Sequence, residues 1–81
     1  MKFQVGELVK LKTDMVDGLI PLFNEPANFS GSDVCVAWFS QQCVGIVIAL
    51  DRSDARSVCL LSPQGLGWTY GANLLSIVRK A

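Results

Sequence analysis

Gly, Pro, Asn, Asp and Ser clusters cut this chain into short apolar runs, and none of the runs is long enough to build a helix of useful length. The stretch "ELVKLK" (7–12) alternates: Val9 and Leu11 share one face, and Lys10 and Lys12 share the other. That pattern predicts a half-buried strand. "VCVAWF" (34–39) and "CVGIVIALD" (43–51) read as two strands of a hairpin turned by "SQQ", with Gly45 expected to mark a bulge or sharp bend. "SVCLLS" (57–62), "LGWTY" (66–70) and "LLSIV" (74–78) supply further strands, separated by the "PQG" and "GAN" turns. The expectation is five core strands, plus an extra hairpin strand at 34–39.

Residues 13–33, "TDMVDGLIPLFNEPANFSGSD", show no regular period. They read as one long inserted loop that carries Leu19, Ile20, Leu22, Phe23 and Phe29. Loops of this length are uncommon in compact domains unless they are functional. An apolar loop must pack on its own domain or on a neighbour.

At 81 residues the chain is a single domain spanning 1–81. A domain this small buries only about 60% of its extended surface. Yet 51% of its residues are hydrophobic and 17% are charged. The expected consequence is apolar area left facing outward, which in a small protein often marks a partner surface.

Seven basic and seven acidic residues cancel. The basic excess typical of nucleic-acid modules is missing, so a nucleic-acid partner is disfavoured. The three cysteines, Cys35, Cys43 and Cys59, each lie in an apolar run and read as small buried free thiols. Their odd number and spacing argue against a disulfide scaffold. With no histidine and no Cys-x-x-Cys pair, a metal site is not expected. Without histidine, without a phosphate-binding glycine loop and with Asp51 and Asp54 flanked by Arg52 and Arg56, no catalytic residues or cofactor can be assigned. "MKFQVGELVK" lacks a signal-peptide apolar core, and "VGIVIAL" is too short to span a bilayer, which predicts an intracellular chain with no membrane partner.

The order of these pieces resembles the SH3-like barrel, in which a long first loop separates strands one and two and a 3₁₀ turn, here "YGAN", precedes the last strand. Within that class the chain looks most like small SH3-like proteins of tailed bacteriophages. The matching residues are Val5 to Val9, Gly45 to Val47, and Gly67, Trp68, Tyr70, Asn73 and Leu74. The enlarged first loop and the strand at 34–39 depart from the pattern.

The fold class expected is therefore all-β, a small SH3-like barrel of about five strands. The resemblance implies a non-enzymatic virion component, capsid-stabilising or tail-associated and assembled in the host cytoplasm. Its partners would be capsid or tail subunits, or further copies of itself. Candidate contact residues are Leu22, Phe23, Phe29, Trp38, Phe39, Trp68 and Tyr70. Two other readings remain open. One is a nucleic-acid or ribonucleoprotein module using Trp68, Tyr70, Lys10 and Lys12. The other is a docking subunit of a larger complex.

Overall fold

The computed structural model describes residues 3–12, 18–26 and 34–81. Its regular elements are β1 (Leu8–Leu11), β2 (Leu19–Phe23), β3 (Cys35–Ser40), β4 (Gly45–Leu50), β5 (Val58–Ser62), β6 (Gly65–Thr69), a 3₁₀ turn (Ala72–Leu74) and β7 (Leu75–Arg79). The chain is all-β. Its seven antiparallel strands form one sheet in the order β3-β2-β6-β5-β4-β1-β7. No described pairing joins β3 to β7, so the sheet is open rather than the closed barrel that the strand spacing suggests.

The entry to β1 is fixed by "QVGE". Glu7 N donates to Gln4 O at 3.2 Å, and Gln4 N donates back to Glu7 Oε1 at 2.7 Å. The turn between them needs Gly6 at φ +99°, which side chains with a Cβ rarely adopt. Gly6 N and Glu7 O then join Val47 at 2.7 and 3.0 Å, which ties the turn to β4.

Two expectations need correcting. The segment 13–33 is not wholly a loop, because residues 19–23 form β2. Pro21 conceals it in the sequence, since proline cannot donate to a ladder. The structure makes room for this proline. Gln41 N donates to Gly18 O at 2.9 Å, and the two-residue period of an antiparallel ladder then leaves the pair Pro21 and Trp38 without mutual bonds. On its other side the described ladder between β2 and β6 pairs Phe23 with Trp68.

The second correction concerns β3. It pairs with β2, not with β4. The chain leaves β3 through Ser40–Cys43, where Cys43 N donates to Ser40 O at 3.0 Å, and enters β4 on a different part of the sheet.

The β2–β3 hairpin lies over three glycines. A Cβ on Gly67 would stand 2.7 Å from Leu22 Cβ, 3.1 Å from Phe23 O and 3.1 Å from Val36 Cγ2. A Cβ on Gly65 would meet Ala37 Cβ at 3.0 Å, and one on Gly45 would meet the Phe39 ring at 3.0 Å. Gly45 therefore provides close approach rather than the expected bulge. The irregularities in register lie at Leu8/Val9, Leu22/Phe23 and Val47/Ala49. The seated hairpin drives Ile20, Leu22 and Phe39 into one core with Val9, Leu11, Val47, Val58, Leu60 and Leu75. Each fully buried aliphatic or aromatic side chain there contributes roughly 1.5–3 kcal/mol.

Gly67→Ala should therefore destabilise the domain by about 1–3 kcal/mol, because a methyl group must displace main chain and core side chains together. Gly71→Ala is the control. Its new Cβ meets mainly the flexible end of Leu74, 3.1 Å away. Urea unfolding of both variants checks the difference, and the account expects the larger loss at position 67.

Candidate protein-interaction surface

Strand alternation places Leu19, Pro21 and Phe23 on the outer side of β2, opposite to buried Ile20 and Leu22. On β6 it places Trp68 outward and Thr69 inward. Thr69 is buried, and its Oγ1 accepts Gly71 N at 3.0 Å, which starts the turn into the 3₁₀ segment. Trp68 and Tyr70 are both half-buried, so neither is a core ring nor a free one.

Three aromatic residues converge here. The rings of Phe23 and Tyr70 stack with centroids 4.3 Å apart and planes 20° from parallel. Phe23 is also the register partner of Trp68. The Tyr70 hydroxyl donates to Glu25 O at 3.0 Å, which anchors the chain just past β2. A buried tyrosine edge usually finds such a partner.

The candidate residues named from the sequence thus divide. Phe23, Trp68 and Tyr70 are brought together, and Trp38 stands 53% exposed on β3, opposite Pro21. Leu22 and Phe39 are corrected: both are 0% exposed and belong to the core, because they occupy the inward positions of the hairpin. Phe29 lies outside the described residues. Cys35 is likewise corrected, since it is exposed rather than buried. Cys43 is half-buried and Cys59 buried, and all three are free thiols. Burial pushes the Cys59 thiol above its ordinary pKa and so lowers its reactivity.

Sequence reasoning missed a second outward group. Register pairs Leu8 with Ile46, Ile46 with Leu61, and Leu61 with Leu66. The result is an aliphatic row across β1, β4, β5 and β6. Its last three members are exposed, and Leu8 is half-buried. The signal lies in β4, where Ile46, Ile48 and Leu50 alternate with buried Val47 and half-buried Ala49. Both faces of that strand are apolar, so only the register reveals which one faces outward.

The polar turn 51–57 is organised by its own side chains. Asp51 Oδ1 accepts Ser53 N and Ser53 Oγ at 2.9 and 2.6 Å. Asp54 accepts Arg56 N and Nε at 2.9 and 3.1 Å, and the Arg56 guanidinium holds its carboxyl below the usual range. The Arg56–Asp54 ion pair, 2.9 Å, is a local turn contact that leaves the arginine exposed. Among the described residues no three His, Cys, Asp or Glu side chains cluster to hold a metal. No described helix is long and apolar enough to cross a membrane.

Compared with family models, with curated proteins and with solved structures, the chain has no match, so its role must be read from its own residues.

The aromatic residues should separate in denaturant. Phe39→Ala removes a fully buried ring and should cost about 3–5 kcal/mol. Trp38→Ala should change stability by less than about 1 kcal/mol, as exposed substitutions do. Equal losses at the two positions would contradict the division between core and surface.

Proposed function

We propose that this chain is a non-enzymatic interaction module of the SH3-like class that lends apolar surface to neighbouring subunits of a larger assembly. Its connectivity supports the class. Strands β1, β4, β5 and β6, the 3₁₀ turn and β7 follow the order of an SH3-like barrel, and the β2–β3 hairpin occupies the first loop. The domain is then an open version of that barrel whose first loop carries strands β2 and β3.

The observation that carries the interaction reading is the outward row Leu8–Ile46–Leu61–Leu66, to which the exposed hairpin residues Val36 and Trp38 add further apolar surface. A small monomer seldom spends this many large aliphatic side chains on solvent without a partner. The resemblance of "VGELV", "GIV" and "GWTYGANL" to small phage barrels gives the assembly its identity in this reading. The chain is a minor virion component in contact with capsid or tail proteins, assembled in the host cytoplasm.

Mass spectrometry of gradient-purified particles tests the virion role. The chain should co-migrate with the particles at a fixed ratio to the major subunit. Leu66→Ser should reduce that ratio at least several-fold while leaving the melting temperature of the isolated domain nearly unchanged. A chain found only outside the particles would contradict the virion role, and undiminished incorporation of the variant would contradict use of the aliphatic row.

A further inference from the structure

Strand β3 ends the sheet, with β2 as its one neighbour among the described strands. The Gln41 N to Gly18 O bond sets which backbone groups face which side. By the two-residue period, Ala37 and Phe39 turn theirs towards β2, whereas Trp38 and the Ser40 amide direct theirs to the open side. Exposed edges of this kind template the addition of another strand, and proteins usually guard them with lysine, proline or inward charge.

β3 carries no charge or proline guard, and its one irregularity is the extra residue Val36 opposite the Leu22/Phe23 step, which leaves the Trp38–Ser40 part of the edge regular. No Asp, Glu, Lys or Arg occurs between Asp33 and Asp51, and "CVAWFS" contains no proline. Val34 just before it, and Val36 and Trp38 within it, are 57, 51 and 53% exposed. The opposite edge, β7, ends in exposed Arg79, and Lys80 follows it.

We propose that β3 is a pairing edge whose partner is β3 of a second copy of this chain, antiparallel about a two-fold axis beside Trp38. The inference deepens the interaction reading and rests on it, but it does not depend on a virion. Three observations select the second copy. An uncharged strand can lie opposite itself, because no like charges are brought together. Pairing β3 with β3 consumes the edge and stops at a dimer, whereas pairing β3 with β7 would leave an edge free at each end and build filaments. The basic end of β7 is also the guarded one.

The area of a six-residue strand edge with these exposed side chains is on the order of 1,000 Å² counted over both copies, near the lower limit of specific interfaces. A reversible dimer with micromolar dissociation is expected.

Sedimentation velocity of the intact chain from about 1 µM to 1 mM tests this, since it spans that range of affinity. Wild type should shift from monomer to dimer without larger species. Trp38→Lys should weaken dimerisation at least tenfold, because it brings two cations together at the dyad, and Val36→Lys, as a second variant, should do the same because it replaces an apolar contact of the edge with a charge on each copy. Val78→Lys, on the β7 edge, should leave it unchanged. Thermal melts of each variant confirm folding, and either β3 variant that remains folded suffices for the comparison. A chain that stays monomeric at the highest concentration overturns the proposal, as would be found if the edge served only a foreign strand. So do open-ended polymers, or a dimer lost in Val78→Lys and kept in the β3 variants. Particle incorporation is unaffected by any of these results, so failure of the dimer and failure of the virion role are distinguishable.

Discussion

Three close approaches hold the parts of this molecule together: Leu22 and Val36 over Gly67, Ala37 over Gly65, and the Phe39 ring over Gly45. At each, a side chain of the β2–β3 hairpin rests where any other residue would place a Cβ. The strands β7-β1-β4-β5-β6 alone would leave one side of Val47 and Leu60 uncovered. Seating the hairpin on glycine lets Ile20, Leu22 and Phe39 complete a single core in a chain too short to build two layers of ordinary thickness.

The same seating decides what remains outside. Once Ile20, Leu22 and Phe39 point inward, alternation obliges Leu19, Pro21, Phe23 and Trp38 to point outward. Phe23 is then covered in part by Tyr70, and Trp38 by little. On the other strands Ile46, Leu61 and Leu66 face away from a core that is already full. The apolar surface is therefore a consequence of composition meeting a small volume. What supports reading it as a contact surface is its arrangement in cross-strand register rather than its amount.

Most strands were legible in the sequence because their ends carry turn chemistry. β1, β5, β6 and β7 fall where Gly6, the "DRSDARS" turn, "PQG" and "GAN" bound apolar runs, and the 3₁₀ turn falls within "YGAN" at Ala72–Leu74. β2 was not legible, since Pro21 stands mid-strand and its tolerance depends on the register with β3 and on the short ladder with β6. The partner of β3 was not legible either. Local hairpins are the natural expectation for adjacent strands, and two of the glycines that seat the hairpin, Gly65 and Gly67, lie on β6, remote in sequence. For the site, the convergence of Phe23, Trp68 and Tyr70 needed a pairing between β2 and β6 that nothing local encodes. Period two tells that Trp38 differs in direction from Ala37 and Phe39, but not which side is inside. For that reason the sequence alone does not separate Phe39, which is core, from Trp38, which is surface.

The hairpin is part of the cooperative core and not an appendage to a five-stranded domain. Native-state amide hydrogen exchange measures this directly. The amides of Ile20, Leu22, Ala37 and Phe39 should exchange only through global unfolding, with the same opening free energy and denaturant dependence as those of Val47 and Leu60. If the hairpin amides instead open sub-globally, several kcal/mol below the β4–β5 amides and with little denaturant dependence, the glycine-seated hairpin is not what holds the fold together.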